Sequence, residues 1–435
     1  MKTVLKSEQK QINRLFSHLE FDGNKLNHQP GSVLGSTALI AGTTIGAGIL
    51  ALPAVTLPSG ILPSTIVIIA VWLYTLFSGL LIAEVSLNVM GAEGIPSIGF
   101  LAIVEKTLGK VGARIAGATY LFMHYALLVA YISKGGDILV SALTKISGLD
   151  NILILPNWVG TTSFTLLFGG ILYLGKERFI QKLNSAFVAI VITSFLGLLL
   201  LGSGQVKSEQ LLFQNWNAVG SAVSVICVAL FYHNVVPVVV TQLEGDISKI
   251  RKSIIIGSGI PLIMFLAWNA VILGSVSSDM LQNTSQISNV FDPLQILRSG
   301  GAGELLGLVL TIFSEFAIIT SFIGFVYGLV DFFKDISRIT KGEISRLPIF
   351  SLVLFPPMSL GTINPSIFFT ALDYTGIFSI SVLGGIIPAI MSWQQRNQQK
   401  LTNGIYQSLI PGGKITLTVM ITVALALIGK QILSI

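Results

Sequence analysis

Charged side chains are scarce in this chain. Asp, Glu, Lys and Arg make up 11% of its 435 residues, whereas apolar residues make up 52%. Soluble domains carry about 25% charged residues, so this chain has too few polar groups to cover a surface that faces water. The shortage excludes a soluble enzyme and a disordered chain. At about 20 residues for each membrane-spanning helix, the apolar residues suffice for roughly eleven spans, which predicts an all-α integral membrane protein in a lipid bilayer.

Cysteine and the motifs of enzymes are also lacking. The single cysteine, Cys227, cannot form a disulfide within the chain. No metal-ligand spacing, nucleotide-binding loop or catalytic-triad signature occurs, so we expect neither an enzyme, nor a metal or cofactor, nor an ATP-driven pump. The net charge of +6 could suggest a nucleic-acid partner. Basic residues of membrane proteins collect in cytoplasmic loops, however, and we expect no such partner.

The apolar residues fall into eleven runs separated by polar breaks. The runs are 32–55, 61–90, 115–143, 157–174, 183–202, 219–242, 253–275, 304–332, 347–362, 366–391 and 414–433. They predict an N-terminal tail (1–31), a first group of five helices (32–202), a second group of five (219–391) and an eleventh helix (414–433). An odd number of helices in each group places the two starts on opposite sides of the membrane, so the groups can form an inverted repeat.

The basic residues mark one side of this arrangement. If the N-terminus is cytoplasmic, 21 of the 26 Lys and Arg residues fall in the tail or in segments that face the cytoplasm. The positive-inside rule describes this bias, and a miscounted helix would disturb it. We therefore expect a multi-pass protein with a cytoplasmic N-terminus in a bacterial or cyanobacterial plasma membrane, with a plastid envelope as the alternative.

The first span contains a poor stretch of helix. Three glycines and two β-branched threonines lie within the seven residues 42–48. In lipid such a stretch persists only where protein, ligand or ion satisfies its backbone groups, so an unwound segment at a binding site is one interpretation. A packing face of Gly42 and Gly46 against a neighbouring helix is the other. The unwound segment makes five residues candidates for substrate binding: Thr43, Thr44, Gly46, Ala47 and Gly48.

A matching break is predicted in the sixth span. Pro237 removes a hydrogen bond from the preceding turn, and His233 and Asn234 place polar groups about halfway through an apolar run. A proline kink in a packed helix is the simpler alternative. Two breaks at mid-membrane, in the first helix of each group, instead favour a shared site. Phe231, His233 and Asn234 are its candidates in this helix, and Phe231 would offer an apolar contact.

The ends of broken helices favour a particular kind of ligand. The N–H groups at the start of a second half-helix suit a carboxylate, and the carbonyls at the end of a first half-helix suit an ammonium or a small cation. An α-amino acid carries both groups on one carbon. Since no Asp, Glu, Lys or Arg lies in either break, we expect an amino acid whose own side chain is uncharged.

The segment Gly42-Thr-Thr-Ile-Gly-Ala-Gly-Ile-Leu-Ala-Leu-Pro53 resembles the first-helix signature of the tryptophan/tyrosine permease group, the hydroxy and aromatic amino acid permeases. Shorter matches are Glu84-Val85, Ala130-Tyr-Ile-Ser133 with Gly136, His233-Asn-Val-Val-Pro237, and Thr320-Ser-Phe322 with Gly324 and Gly328. Lys134 and Asp137 add more charge than the group usually carries there. The resemblance implies the amino acid–polyamine–organocation superfamily, a leucine-transporter-type five-plus-five inverted repeat with an eleventh helix, and proton-coupled uptake of an aromatic amino acid.

Titratable residues within the spans are candidates for coupling transport to an ion, because intramembrane charge is rare and usually functional. Glu315, Asp373 and His233 are proton-coupling candidates, while His124 fits a hydrogen-bonded core histidine and a proton relay equally well. Thr320 and Ser321 permit Na+ instead, because in the fold that the resemblance implies, hydroxyls of helix 8 can join carbonyls of helix 1 around that cation. The residues leave H+ and Na+ open, and the resemblance favours H+.

These features together predict a secondary active transporter. It would be a symporter of an aromatic, tyrosine- or tryptophan-type, or other neutral amino acid that works by alternating access around the two breaks. Three alternatives are a Na+-coupled neutral amino acid symporter, a sensor built on a transporter fold, and a passive pore. A pore would favour repeated pore-lining rings or a selectivity loop, and the sequence contains neither.

Overall fold

The structure, a computed structural model, describes most of the chain. The described residues are 15–17, 19–22, 25–28, 31–46, 48–146, 156–275, 303–339, 346–364, 367–402 and 408–434. Most of them are helical, as the composition predicts. A small antiparallel hairpin precedes the first helix, in which β1 (Leu19–Asp22) pairs with β2 (Lys25–His28). It falls in the predicted tail 1–31, where strands of four residues are too short to give a clear alternating pattern.

The helices are numbered in chain order. They are α1 (Val33–Thr44), α2 (Gly48–Thr56), α3 (Ile61–Glu93), α4 (Phe100–Ile146), α5 (Asn157–Leu174), α6 (Glu177–Ser203), α7 (Ser208–Leu211), α8 (Val223–Ala229), α9 (Val236–Gln242), α10 (Ile247–Ser275), α11 (Glu304–Ile339), α12 (Arg346–Ile363), α13 (Ile367–Tyr374), α14 (Ile387–Thr402) and α15 (Gly413–Ser434). Two π-helical stretches, Thr375–Ile380 and Val382–Ile386, join α13 to α14. A 3-10 turn, His233–Val235, precedes α9.

Up to ten helical units in the described ranges are long and apolar enough to cross a membrane. Nine are single segments, one of which, 223–242, consists of α8, the 3-10 turn and α9. The tenth is the pair α1 and α2, which are bent by 53° relative to each other. The fourth predicted span, 157–174, is present as α5 with the same bounds, but α5 falls outside this set. The chain is therefore a multi-pass helical membrane protein. The five-plus-five repeat and the count of eleven spans stay predictions.

The third predicted span, 115–143, is part of a longer helix. α4 begins at Phe100, and Gly109 interrupts its helical backbone with a φ of 72°. Glycine adopts this left-handed conformation without the steric cost that a side chain would add. Lys110 and Arg114 lie between Gly109 and residue 115, and they end the apolar run in the sequence although the helix extends back to Gly109.

The helices pack around large apolar side chains. α1 lies along α10, and α11 packs against both α4 and α6. Where α6, α10 and α11 meet, Phe195, Trp268 and Phe313 form a cluster of rings whose centroids are 5.5 to 6.1 Å apart. Such contacts add to the burial of apolar area. They hold α11 inside the bundle, where it can line a cavity.

A hydrogen bond from Trp268 compensates for a proline in α2. Pro53 has no N–H to donate to the Ile49 carbonyl four residues earlier. The Trp268 Nε1–H of α10 donates to that carbonyl at 3.0 Å. Because no water reaches the hydrocarbon core to satisfy such a group, this bond stabilises α2 and favours α10 as its neighbour.

A second aromatic donor has the same role at α12. Pro356 removes the N–H that would bond to the Leu352 carbonyl. Tyr125 Oη of α4 donates to that carbonyl at 2.7 Å. The helix therefore continues through the predicted run 347–362 in spite of its two adjacent prolines.

A buried ion pair joins α3 to α14. Glu84 is fully buried, and Arg396 donates to both of its carboxylate oxygens, from Nε to Oε1 and from Nη2 to Oε2, each at 3.0 Å. Ser392 Oγ and the Leu409 backbone N–H donate to the same carboxylate at 2.7 and 2.8 Å. Glu84 thereby holds the second half of α14 and the segment before α15 against α3.

The variant Trp268→Phe keeps an aromatic ring but removes the donor to the Ile49 carbonyl. We expect a loss of about 1 kcal/mol of unfolding free energy, the usual size of a hydrogen bond within a membrane. Thermal unfolding in detergent measures the loss. Trp158→Phe is the matched control, because Trp158 is 56% exposed. Equal shifts for the two variants would contradict this role of the indole N–H.

The variant Glu84→Gln leaves the largely buried Arg396 side chain, 12% exposed, without its counter-charge. We expect it to destabilise the protein by about 3–5 kcal/mol, the usual cost of breaking a buried ion pair. The control Glu93→Gln, on the same helix, removes only a partly exposed pair with Lys106, which should change stability by less than about 1 kcal/mol. If thermal unfolding finds the two variants equally stable, the buried pair does not hold α14 in place.

Candidate functional site

The first predicted break is present in the structure. α1 ends at Thr44, and α2 begins at Gly48. The Ile49 N–H bonds to the Gly46 carbonyl, only three residues earlier, at 3.2 Å. The α-helical pattern of hydrogen bonds is therefore interrupted within the glycine-rich stretch.

The second break is present as well. α8 ends at Ala229 and α9 begins at Val236, with the 3-10 turn directly before α9. Pro237 has no N–H for the His233 carbonyl, and the Val236 N–H donates to that carbonyl instead. The chain therefore makes a turn here, whereas the simpler alternative was a kink in a continuous helix.

A cavity of about 1480 Å³ opens beside the two breaks. Its wall includes Gly42 and Thr43 from α1, Phe231 and Asn234 from the second break, and Thr320, Ser321 and Gly324 from α11. Ligand pockets usually hold about 300–1000 Å³, so this volume has room for a binding site and a vestibule. Residues that are far apart in the sequence, from both breaks and from α11, share one wall.

The glycines of this region divide into two kinds. A Cβ on Gly42 or on Gly324 would have no atom within 4 Å, so both leave open space in the cavity wall. A Cβ on Gly46 would lie 2.5 Å from a side chain of α11, and one on Gly48 would lie 2.8 Å from the backbone of α8. Gly42 and Gly46 therefore do not share one packing face. Gly46 and Gly48 allow close approach of helices, and Gly42 borders the cavity.

Two side-chain amides in the wall have unused acceptors. Asn234 Oδ1 and Asn184 Oδ1 are buried, and neither has a hydrogen-bond partner among the residues that the structure describes. Buried polar atoms are usually bonded, so an unused acceptor beside a cavity indicates a place for a donor of a ligand or for an ordered water. Asn184 lies on α6, and no pattern in the surrounding sequence distinguishes it.

Other predicted substrate-binding residues lie behind the wall. Thr44 is buried, and its hydroxyl donates to the Ile40 carbonyl at 2.8 Å. His233 is buried with its imidazole beside Gly384 of the π-helical stretch, and its ring stacks on Phe231 with centroids 4.8 Å apart. Ala47 lies outside the described residues.

Two of the predicted ion-coupling residues, Thr320 and Ser321, lie in the cavity wall. Their hydroxyls donate to carbonyls one turn earlier in α11 at 3.0 and 2.9 Å, which is common for hydroxyls in membrane helices. A hydroxyl that donates in this way still has an oxygen that can accept a hydrogen bond or coordinate a cation. Thr320 and Ser321 therefore lie where their hydroxyl oxygens could contact a ligand or an ion in the cavity.

The two predicted ion-coupling carboxylates lie elsewhere. Asp373 of α13 accepts hydrogen bonds from Ser224 of α8 and, at 3.1 Å, from Gln431 of α15, so it joins three helices. Glu315 is partly buried in α11 and is not among the described residues of the cavity wall. A part in ion coupling stays a prediction for both residues.

Charged side chains gather at the open end of the cavity. Lys176, Lys334 and Arg346 line it together with Asp331, which pairs with Lys334 at 3.2 Å. The side chains of Asp331 and Lys334 are 69% and 47% exposed, so the cavity opens to solvent here. All three basic residues belong to segments that the loop charges assign to the cytoplasmic side.

Several wall residues were not among the predicted site residues. The sequence pointed to Gly42 and Gly324 indirectly, since both are glycines of the segments that resemble the permease group. His124 of α4 also lines the cavity. Its position in a span left two interpretations, and only its neighbours in the fold show that it reaches the wall.

Comparison with known proteins agrees with these features. The profile of the tryptophan/tyrosine permease family matches residues 29–430. Tyrosine-specific transport system 1 of Haemophilus influenzae is 28% identical, over 89% of this chain and 93% of its own length. The tryptophan-specific transport protein of the same species is 27% identical over 92% and 96%, and glutamine transporter 2 of Aliivibrio fischeri is 25% identical over 92% and 99%. Since the family profile covers nearly the whole chain, including both helix breaks, the chain belongs to the tryptophan/tyrosine permease family.

Proposed function

We propose that this chain is a secondary active symporter that moves an aromatic or other neutral amino acid across a bacterial inner membrane by alternating access. One observation carries the proposal: both helix breaks border a single cavity. Interrupted helices are costly in lipid and are typical of the binding sites of transporters. Membership of a permease family supports the same function, and a plastid envelope is the alternative location.

The breaks offer partners for both charged groups of an amino acid. α2 begins at Gly48 inside the span, so its positive dipole end can attract the carboxylate. The last carbonyls of α1, near Thr43, and the unused Asn234 oxygen can accept hydrogen bonds from the ammonium. An amino acid would thereby replace the partners that the broken helices lack.

The substrate side chain would extend along α11. Gly324 leaves open space in this part of the wall, and the aromatic residues Phe231, Phe325 and Tyr327 also line the cavity. Aromatic rings stack favourably on a phenol or an indole. Relatives named for tyrosine and tryptophan support an aromatic substrate, while the relative named for glutamine keeps other neutral amino acids within the proposal.

We assign the conformation seen here to the inward-open state. The cavity opens at the end with Lys176, Lys334 and Arg346, which the positive-inside rule places in the cytoplasm. On the other side of the breaks, Gly48 brings α2 against α8. Alternating access would open that contact and close the cytoplasmic end. A passive pore needs a continuous path, and this contact argues against one.

Protons are the proposed coupling ion. The resemblance to proton-coupled permeases supports H+. Thr320 and Ser321 keep Na+ as the alternative, because both line the cavity, the Ser321 hydroxyl lies beside Gly46 of the first break, and hydroxyl and carbonyl oxygens suit a hard cation. The two ions are distinguished by the gradient that drives uptake.

Purified full-length protein in proteoliposomes tests the function. We expect labelled tyrosine or tryptophan to accumulate against its own gradient when the outside is more acidic, and not under an imposed Na+ gradient at equal pH. Counterflow should occur without an ion gradient, because exchange needs only binding and alternating access. Liposomes without protein are the control. If no amino acid of a full panel shows counterflow or accumulation, the proposed function is wrong.

The variant Gly324→Leu tests the site. Its side chain would fill the space that Gly324 leaves in the wall, so we expect kcat/KM for counterflow to fall by about tenfold or more. Gly429→Leu is the matched control, because a Cβ there also has no atom within 4 Å, and Gly429 lies on α15 outside the described cavity wall. Similar kinetics for the two variants would show that the substrate does not pass this part of α11.

A further inference from the structure

His124 of α4 lies in the cavity wall between the helix breaks and the charged mouth. The residue is 2% exposed and borders the cavity. Its Nε2 faces α11, where a Cβ on Gly328 would lie 2.7 Å away. Gly328 is about one turn from Gly324 towards Asp331, so the imidazole lies part of the way from the proposed substrate site to the mouth.

The hydrogen bond of the other ring nitrogen sets the tautomer of His124. Nδ1 lies 2.9 Å from the Tyr120 carbonyl. A carbonyl oxygen can only accept, so Nδ1 carries a hydrogen and donates it, and Nε2 of the neutral ring carries the lone pair. Within the described part of the chain Nε2 makes no hydrogen bond. A basic nitrogen with unused acceptor capacity therefore faces α11 at Gly328, on a residue that itself lines the cavity.

Two aromatic rings hold the imidazole in place. The Tyr120 ring centroid lies 3.8 Å from that of His124, and the Phe325 ring centroid lies 4.8 Å away. Aromatic rings attract cations, so this pair would stabilise the imidazolium that forms when Nε2 takes up a proton. His233, the other histidine buried in a span, is not among the described wall residues.

The titratable and charged groups near His124 are few. Its own helix presents the Tyr120 phenol, and α11 presents Tyr327, Asp331 and Lys334. Lys176 and Arg346 complete the mouth. Of the wall residues that the structure describes, His124 is the one whose side-chain type ordinarily changes charge between about pH 5 and 8.

We propose that Nε2 of His124 binds and releases the proton that this protein moves with its substrate, an assignment that rests on the proposed symport. On loading, a hydronium ion in the cavity gives its proton to the Nε2 lone pair, which forms an N–H bond and leaves a water molecule. On release that N–H bond breaks and the proton returns to a water molecule. Nδ1 keeps its bond to the Tyr120 carbonyl throughout, so the ring keeps its orientation. Proton and amino acid then bind within one cavity, where the binding of each can change the affinity for the other.

Full-length His124→Gln in proteoliposomes tests the assignment, because glutamine is polar but cannot take up a proton. Counterflow of labelled tyrosine at equal pH reports substrate binding and alternating access. Substrate-induced proton entry, followed with a pH-sensitive dye inside the vesicles, reports coupling. We expect counterflow within about threefold of the wild type, and proton entry lower by about tenfold or more with a flattened pH profile of accumulation.

Gly328→Ala is a second, independent variant, because its methyl group would press against Nε2 while the histidine remains. As for His124→Gln, we expect counterflow near that of the wild type and strongly reduced proton entry. His233→Gln is measured in parallel as a change at the other buried histidine.

Undiminished proton entry in both His124→Gln and Gly328→Ala would overturn the assignment, and so would loss of proton entry in His233→Gln alone. Loss of counterflow in both variants would overturn it too, since His124 would then serve folding or substrate passage. If the wild type shows no counterflow of any amino acid, the proposed transport function fails and the assignment fails with it.

Discussion

Every backbone N–H and C=O group inside the bilayer needs a partner within the protein, because the hydrocarbon core supplies no water. This constraint determines which helices lie side by side in the packed parts of the bundle. Pro53 leaves the Ile49 carbonyl without its usual donor, and the Trp268 indole of α10 supplies one. Tyr125 of α4 does the same for the Leu352 carbonyl in α12. In both places a local defect of one helix is repaired by a side chain of a particular neighbour, which ties the pair together.

The same constraint applies to the two breaks, where backbone groups lose their partners within the helix. On one side of the first break the space is filled by protein, since Gly48 brings α2 directly against α8. On the other side Gly42 borders open space, and Asn234 carries an acceptor that the described residues leave unused. One half of the region is closed and the other is open to a cavity. The proposed alternation between two openings would use these unequal halves, because the free energy of each state would depend on which half has its polar groups satisfied.

Much of the fold follows from local sequence, and several contacts do not. Apolar runs place the spans, and α5 has the bounds that its run predicts. In the sequence Glu84 is an isolated acidic residue near the end of the apolar run 61–90, and in the structure it is buried against Arg396, more than 300 residues away. Asp373 similarly bonds to residues of two other helices. No local pattern encodes such partners, because an ion pair or hydrogen bond needs only that two side chains meet in space. Asn184 is the extreme case, a wall residue without any sequence signal.

The composition and the local order of residues along the chain therefore determine the class of this protein, the position of its spans and the position of its two breaks. They can do so because a stretch rich in glycine and threonine, or one with a proline, makes a poor helix in any surroundings. Which side chains face the cavity depends on the packing of whole helices. Gly42 and Gly46 are identical residues four positions apart, yet one borders open space and the other contacts α11. His124 and His233 are both buried in spans, and only His124 lies in the described wall, because neighbouring helices cover the different faces of each span unequally.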